Sequence, residues 1–355
     1  MTGSVREGSQ DRMPPREGRL PAIFSVSLFC LLASLGAIAQ DSSSASKPQA
    51  DGKSWTAPRT PDGHPDLQGI WSNQTLTPFE RPSQFAGKAY FTKQEAFAFE
   101  TQTLKANDFD SRSGPGEKDA EGAYNQAWWD KGTHIFRTLR TSMVIDPPDG
   151  LVPPMTPEAK KKFDEAHAHM DAHPADGPED RFLSERCVLF PTAGPPMLPE
   201  PYNSNYEIVQ THDYVTIMPE MNHDVRMIPM DGRPHLPKDV RQWKGDPRGH
   251  WEGDTLVVET TNFSFNDRPR FGIVYDGWTD ENLRITERFT RTGLDTIQYR
   301  ATIDDPTVYT KPWTVELILT KRDERLYEYA CHEGNYGMFD ILSGGRADDK
   351  KAESK

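Results

Sequence analysis

The sequence lacks the short motifs that identify common enzyme classes, and it is poor in cysteine. Only three of its 355 residues are cysteines, at positions 30, 187 and 331, which argues against a thiolate metal site. It contains no glycine-rich phosphate loop, no Gly-x-Ser-x-Gly nucleophile motif and no dinucleotide-binding fingerprint. The sequence therefore names no reaction, and we predict neither a cofactor nor a bound metal.

Basic residues are also scarce. The chain has 41 lysines and arginines against 54 aspartates and glutamates, a formal net charge of −13, and no basic stripe. Because an acidic surface repels the phosphate backbone, nucleic acid is not an expected partner. An anionic membrane surface is excluded on the same grounds.

The N-terminal region carries the one long uncharged run. Arg16 and Arg19 precede residues 20–39, which end on Ala37-Ile38-Ala39, and this order is typical of a secretory signal peptide. An uncleaved anchor is the alternative, but Pro21 and the small-residue ending favour cleavage. We therefore expect a periplasmic or secreted protein that has no stable membrane insertion after cleavage.

The remaining chain divides simply. We predict a flexible linker at 40–61, a single β-rich domain at 62–346 and a disordered tail at 347–355. In an oxidising compartment Cys187 and Cys331 either form a disulfide or remain two buried thiols.

The stretch with the clearest structural pattern is 248–263, which predicts a β-hairpin. Gly253-Asp254 stands between an aromatic half-strand ending at Trp251 and the β-branched run 255–261. Alternation of period two then predicts strands at 140–146, 206–211, 214–219, 223–228, 283–292, 296–303, 313–321 and 326–331. Helices are predicted at about 93–105 and 157–173, in the N-terminal third. This order favours a mainly β protein, either an antiparallel barrel of the lipocalin or calycin kind or a sandwich.

Several motifs resemble known proteins. Gly69-Ile70-Trp71 is similar to the Gly-x-Trp of the first lipocalin strand. Longer motifs, including Arg-Pro-His at 233–235, the 248–263 hairpin and Tyr-Ala-Cys-His-Glu-Gly-Asn at 329–335, resemble a large family of exported, β-rich bacterial proteins of unassigned function. The resemblance covers about 61–346 and implies export and β structure, but no activity.

Ionisable residues collect in three places. On strand 223–228, alternation predicts that Glu220, Asp224 and Arg226 share one face and that His223 faces the other way. His223 is then either a general base beside a pocket or a core histidine bonded to a backbone carbonyl. Glu220 and Arg226 could also simply pair on the outer face.

The second group, Arg248, His250 and Glu252, alternates along the first strand of the hairpin, where it is either solvated or lines a polar cavity. The third group follows strand 326–331 at His332, Glu333 and Asn335, and either lies at a cavity mouth or satisfies turn amides. We predict that His332 reaches His223, His250 or Arg248 to form one polar cluster.

The candidate site residues fall into two groups, catalytic and ligand-binding. The catalytic candidates are His332, Glu333, His223 and His250. The ligand-binding candidates are Arg226, Arg248, Asn335, Trp251, Glu220 and His235. The sequence does not favour a metal site built from His167, His169 and His173, or one built from His223, His235, His250 and His332.

Three functions follow as hypotheses. The leading one is an exported barrel that binds a small molecule in an apolar, aromatic cavity with a His/Glu/Arg cluster. The second is a cofactor-independent lyase, hydrolase or isomerase that uses the same cluster. The third is an envelope module that binds a partner protein through exposed aromatic residues.

Overall fold

A computed structural model describes residues 55–108, 131–264, 275, 279 and 281–354. The predicted signal peptide and all but the last residues of the predicted linker lie outside the described residues.

Antiparallel strands dominate the described chain. The strands are β1 (Gly69–Ser72), β2 (Val144–Asp146), β3 (Asn205–Gln210), β4 (Tyr214–Pro219), β5 (Arg226–Pro229), β6 (Asp246–Glu252), β7 (Thr255–Thr261), β8 (Arg284–Gly293), β9 (Thr296–Asp304) and β10 (Trp313–Arg322). The helices are α1 (Lys93–Ala106), α2 (Pro157–Ala172) and α3 (Gly337–Glu353).

The strands form one sheet that curls into a nearly closed barrel. Its order is β5-β4-β3-β1-β10-β9-β8-β7-β6, and β2 adds to the edge of β10. β5 and β6, at the two ends of this order, pack closely: a Cβ added to Gly249 would lie 2.8 Å from Ile228 Cγ2. The prediction of a mainly β fold of antiparallel strands is confirmed, in the form of a barrel.

The central hairpin has the predicted turn. β6 and β7 pair from Asp246↔Thr261 to Glu252↔Thr255, and Gly253 between them has φ 57°, a value that glycine adopts easily. Three strand predictions differ from the structure. The strand predicted at 140–146 is formed only by β2, which begins at Val144. Residues 326–331 are irregular, and β5 begins only at Arg226.

Side chains fill the barrel. On β8 and β9 every second residue points inward, so that Phe289 and Tyr299 pack at 5.0 Å between ring centroids. The largest side chains that are less than 2 % exposed are Trp71, Trp313, Tyr206, Tyr299, Tyr309, Phe263 and Phe289. Burying one such large apolar side chain stabilises a fold by about 1.5–3 kcal/mol. These rings therefore contribute substantially to the stability of the barrel.

The two predicted helices are present, and local signals explain their ends. Thr92 and Glu95 form a capping box at the start of α1, and Thr156 caps α2 ahead of Pro157. α2 lies beyond the first third of the chain. α3 was not predicted, and it makes residues 347–353 helical, although we expected a disordered tail there.

Cys187 and Cys331 form a disulfide, with their Cα atoms 5.8 Å apart and a separation of 144 positions in sequence. In the chain-entropy model, closing so long a loop stabilises the folded state by roughly 5 kcal/mol. Among the helices that the structure describes, none has the length and apolar character needed to span a bilayer.

Candidate functional site

An ion pair between Arg226 and Glu287 lies inside the barrel. Arg226 points inward from β5 and Glu287 from β8, and their side chains are 1 % and 0 % exposed. The guanidinium meets the carboxylate in a bidentate arrangement, in which Nη1 donates to Oε1 at 3.0 Å and Nη2 donates to Oε2. Burial alone would lower the pKa of Arg226, but the neighbouring Glu287 carboxylate raises it overall. The guanidinium therefore stays charged inside the barrel.

Two tyrosines extend this pair. The Tyr299 hydroxyl donates to Glu287 Oε1 at 3.0 Å and accepts the Met197 amide at 2.9 Å. Asn73 Nδ2 donates both to the Tyr206 hydroxyl at 3.2 Å and to the Met197 carbonyl at 2.8 Å. We call Asn73, Tyr206, Arg226, Glu287 and Tyr299 the interior polar cluster. It fixes the backbone of Met197 on both sides.

The interior polar cluster is neutral at its tyrosines and incompletely bonded. Burial raises the pKa of Tyr206 and that of Tyr299, so both hydroxyls remain protonated. Asn73 Oδ1 and Arg226 Nε are buried and have no hydrogen-bond partner among the described residues. A buried polar atom without a partner costs about 1–3 kcal/mol, so these two atoms make the cluster less stable than a fully bonded one would be.

A cleft opens at the end of the barrel where β1 finishes and β3 begins. It has a volume of about 260 Å³. Its walls come from Thr75, Thr77, Phe79, Lys131, Met143, Pro199, Glu200 and Pro201. We call it the mouth cleft. Most of these residues are less than 10 % exposed, so most of the lining belongs to the packed part of the structure.

The mouth cleft is mostly apolar, and its lining includes two charged residues, Glu200 and Lys131. Glu200 is 4 % exposed. Burial raises the pKa of Tyr206 most, and the negative charge of Glu200 raises it further. The cleft is thus electrostatically connected to the interior polar cluster. Phe79, another lining residue, packs against Tyr275 at 5.1 Å and Trp313 at 6.0 Å between ring centroids.

The threonines of the mouth cleft are already bonded. Thr75 Oγ1 accepts the Thr77 amide at 3.0 Å, and Thr77 Oγ1 accepts the Phe136 amide at 2.8 Å. The hydroxyl groups of these two threonines therefore already make hydrogen bonds within the protein.

The predicted faces of the 223–228 segment were inverted. Arg226 is buried and faces the interior, whereas Val225 and Met227 are 38 % and 59 % exposed. Asn222 and His223 have φ values of 60° and 50°, so the chain turns there and the alternation cannot be counted through it from Glu220. His223 is half-buried and lies in this turn, outside the barrel interior.

Glu220 does not pair with Arg226. Its carboxylate is 4 % exposed and accepts Asn205 Nδ2 at 2.6 Å and the Tyr327 amide at 3.1 Å. It lies on the outside of the barrel wall, in a second cleft considered below.

The hairpin group lies on the outer face. His250 Nε2 is 3.3 Å from Glu252 Oε1, and Glu252 also accepts Arg288 at 2.6 Å. Arg248 holds Asp246 Oδ1 at 2.6 Å. The His250–Glu252 pair is about half exposed, as the solvated alternative predicts, whereas the Arg248–Asp246 pair is largely buried, with side chains 14 % and 5 % exposed.

The other two ligand-binding candidates near the hairpin also pair locally. Trp251 stacks on His64, with ring centroids 4.8 Å apart. His235 Nδ1 is 3.1 Å from Asp246 Oδ2.

The predicted cluster around His332 does not form. His332 and Glu333 are exposed, and their side chains make no hydrogen bond or ion pair with any described residue. Asn335 Nδ2 instead contacts the Glu185 carbonyl at 3.2 Å and Cys187 Sγ at 3.3 Å. The corner is therefore organised by the disulfide, and the structure does not bring His332 to His223, His250 or Arg248.

The histidines do not assemble a metal centre either. On α2, His169 and His173 stack at 4.7 Å, but their carboxylate neighbours are separate: Asp180 for His169 and Asp176 for His173. Across the described ranges no group of three or more His, Cys, Asp or Glu residues is arranged to hold a metal ion.

Sequence reasoning missed most of the interior polar cluster and Glu200. One signal was present for Glu287, since the carboxylate occupies the inward position between Ile285 and Phe289 in a strand that alternates strictly. No comparable signal marks Asn73 or Glu200, which lie in irregular segments outside the regular strands.

No protein-family model matches this chain, and no curated protein is significantly similar to it. The resemblance to exported β-rich bacterial proteins therefore stays a prediction, and functional inference depends on the geometry described above.

Proposed function

We propose that this protein is a small-molecule-binding barrel and that the mouth cleft is its binding site. The ligand expected there is small and mostly apolar, and it carries one cationic or hydrogen-bond-donating group that faces Glu200. The observation that carries the proposal is a carboxylate only 4 % exposed in the wall of a mostly apolar cleft, in which Lys131 is the other charged lining residue. In such a poorly solvated position a charge-assisted hydrogen bond is stronger than in water.

The interior polar cluster supports this site by fixing the backbone next to Glu200 in the cleft wall. Met197 lies three residues before Glu200, and its amide and carbonyl are bonded to Tyr299 and Asn73. A wall that is already ordered loses little conformational entropy when a ligand binds. The cluster thus has a supporting role, and its side chains are too deeply buried to be ligand contacts.

The cleft volume limits the ligand. About 260 Å³ lies just below the range of about 300–1,000 Å³ that is usual for ligand pockets. A single ring with a short polar arm fits this volume better than a lipid or a cofactor does. The predicted export of the protein would give it access to such solutes outside the cytoplasm.

The test compares three probes that share one ring and differ in charge: benzylamine, benzyl alcohol and benzoate. Binding is measured by tryptophan fluorescence and by the shift of the thermal midpoint. We expect benzylamine to bind best, benzyl alcohol more weakly and benzoate not at all. The variant Glu200→Gln should weaken benzylamine binding by roughly 10- to 100-fold, the range that corresponds to a charge-assisted hydrogen bond of about 1.5–3 kcal/mol.

Glu207→Gln is the matched control, because Glu207 lies on β3 away from the mouth cleft and undergoes the same chemical change. Circular dichroism at the assay temperature confirms that each variant is folded. If the three probes bind equally, or if Glu200→Gln and Glu207→Gln behave alike, the mouth cleft is not the binding site.

A further inference from the structure

A second cleft lies on the outer side of the barrel wall. It has a volume of about 380 Å³. Its lining combines amide, guanidinium, carboxylate and tyrosine groups: Ile70, Gln74, Tyr202, Asn203, Asn205, Glu220, Arg322, Glu324, Arg325, Leu326 and Tyr327. We call it the wall cleft. It shares no lining residue with the mouth cleft, so the two can be tested separately.

Glu220 organises the floor of the wall cleft. Its two carboxylate oxygens accept the Asn205 side-chain amide and the backbone amide of Tyr327. This orientation directs the other atom of the Asn205 amide, Oδ1, away from Glu220. That oxygen is buried and has no hydrogen-bond partner within the described chain. It is an acceptor in need of a donor.

Some charged side chains of the wall cleft already have partners within the protein, and one does not. Arg322 Nη2 pairs with Glu324 at 2.7 Å, and Glu220 already has its two protein donors. Arg325 is exposed, and its guanidinium has no hydrogen-bond or ion-pair partner among the residues that the structure describes. The ionisable group left available to a ligand is therefore a cation, which favours an anionic ligand group.

Tyr327 supplies an aromatic surface at the rim. Its side chain is 74 % exposed, while the Glu220 hydrogen bond at 3.1 Å holds its backbone in place. An exposed ring on a fixed backbone can pack against the flat apolar face of a ligand ring. The amides of Gln74 and Asn203 provide further donors and acceptors along the same cleft.

We propose that the wall cleft binds a hydroxylated carboxylic acid of sugar size, a uronic-acid-like ligand. Its carboxylate would pair with Arg325, a ring hydroxyl would donate to Asn205 Oδ1, and the ring face would rest on Tyr327. A neutral sugar would lack the ion pair, and an apolar amine would be repelled by Arg325 and would leave the Asn205 oxygen without a matched hydroxyl. The specificity expected of this cleft is thus opposite in charge to that of the mouth cleft.

Isothermal titration calorimetry with D-glucuronate, D-galacturonate and D-glucose tests the proposal. We expect the uronates to bind more tightly than glucose. Arg325→Gln should weaken uronate binding by about tenfold or more and leave glucose unchanged. Tyr327→Ala should weaken uronate and glucose binding by a similar factor, about threefold.

Arg346→Gln on α3 is the control, because it removes an equally exposed arginine remote from the cleft lining. Arg325 and Arg346 are both surface residues, so neither variant should affect folding. The proposal is overturned if neither uronate binds, if glucose binds as well as glucuronate does, or if Arg325→Gln matches Arg346→Gln. Benzylamine binding at the mouth cleft should be unaffected by Arg325→Gln, so failure of one proposal is distinguishable from failure of the other.

Discussion

Glu287 and Arg288 are neighbours on β8, yet they belong to two different electrostatic environments. Glu287 faces inward and is fully buried against Arg226, whereas Arg288 faces outward and pairs with Glu252 at a side-chain exposure of 41 %. Removing one partner inside the barrel leaves a charge with no water to solvate it, whereas outside the barrel water replaces the lost partner. The same kind of pair should therefore have a large energetic role on one face of a strand and a small one on the other.

The largest expected effect comes from Glu287→Ala. This change leaves the Arg226 guanidinium buried without a counter-charge and removes the acceptor of the Tyr299 hydroxyl. We expect the free energy of unfolding to fall by about 3–5 kcal/mol, measured by urea denaturation. Arg288→Gln, one residue away, is the control, and a comparable loss in both variants would contradict the distinction between the two faces.

The double variant Arg226→Met, Glu287→Met should lose much less than Glu287→Ala does. With both charges replaced by apolar side chains of similar length, no buried ion remains to be desolvated. We expect an unfolding free energy within about 1–2 kcal/mol of the natural protein, on either side of it. If the double variant is as unstable as Glu287→Ala, the deficit comes from lost packing and not from an uncompensated charge.

The outer pair should show its contribution in the pH dependence of stability. The hydrogen bond from Arg288, with help from His250, lowers the pKa of Glu252 below its usual 4.5. A lowered folded-state pKa stabilises the fold above the unfolded value and loses this contribution as the pH falls through the folded value. The difference in thermal midpoint between the natural protein and Arg288→Gln should be small at pH 7 and should vanish as the pH drops below 4.5. A difference that grows on acidification would contradict this assignment.

The smallest effect on stability is expected at the start of α1. Hydrogen bonds from Lys88, and then from the Thr92 amide, lower the pKa of Glu95 to about 2. The contribution of Glu95 to stability should therefore disappear between pH 4.5 and about 2. In Lys88→Met, carbon NMR should show the Glu95 titration moving upward without reaching 4.5, because Thr92 still donates. Lys93→Met should leave the titration unchanged.

The regular part of the fold could be read from the sequence because strand periodicity and turn residues are local signals. The β6–β7 hairpin, the strands after residue 283 and the cap of α1 all follow from residues close together in the chain. Arg226 was assigned to the wrong face for the converse reason. Two consecutive residues with left-handed backbone conformations, Asn222 and His223, restart the alternation. No short sequence pattern predicts them.

The candidate site was less predictable than the fold. Both clefts take residues from segments far apart in sequence, such as Thr75 and Glu200 or Ile70 and Tyr327, so spacing along the chain does not reveal them. The histidines attracted notice because of their chemistry, but in the structure His250 and His332 are exposed. Arg226 and Glu220 were identified as polar residues of interest, yet their partners depend on the closed barrel.

The Cys187–Cys331 disulfide has a consequence for how the protein responds to proteolysis. The strands from β3 to β10 all lie between the two cysteines. A protease that cuts once anywhere in that interval opens the chain without releasing a fragment, because the new ends remain covalently joined through the disulfide. Such a nicked molecule runs as one intact species on a denaturing gel until a reductant is added, and so damage to most of the barrel wall stays hidden unless the sample is reduced.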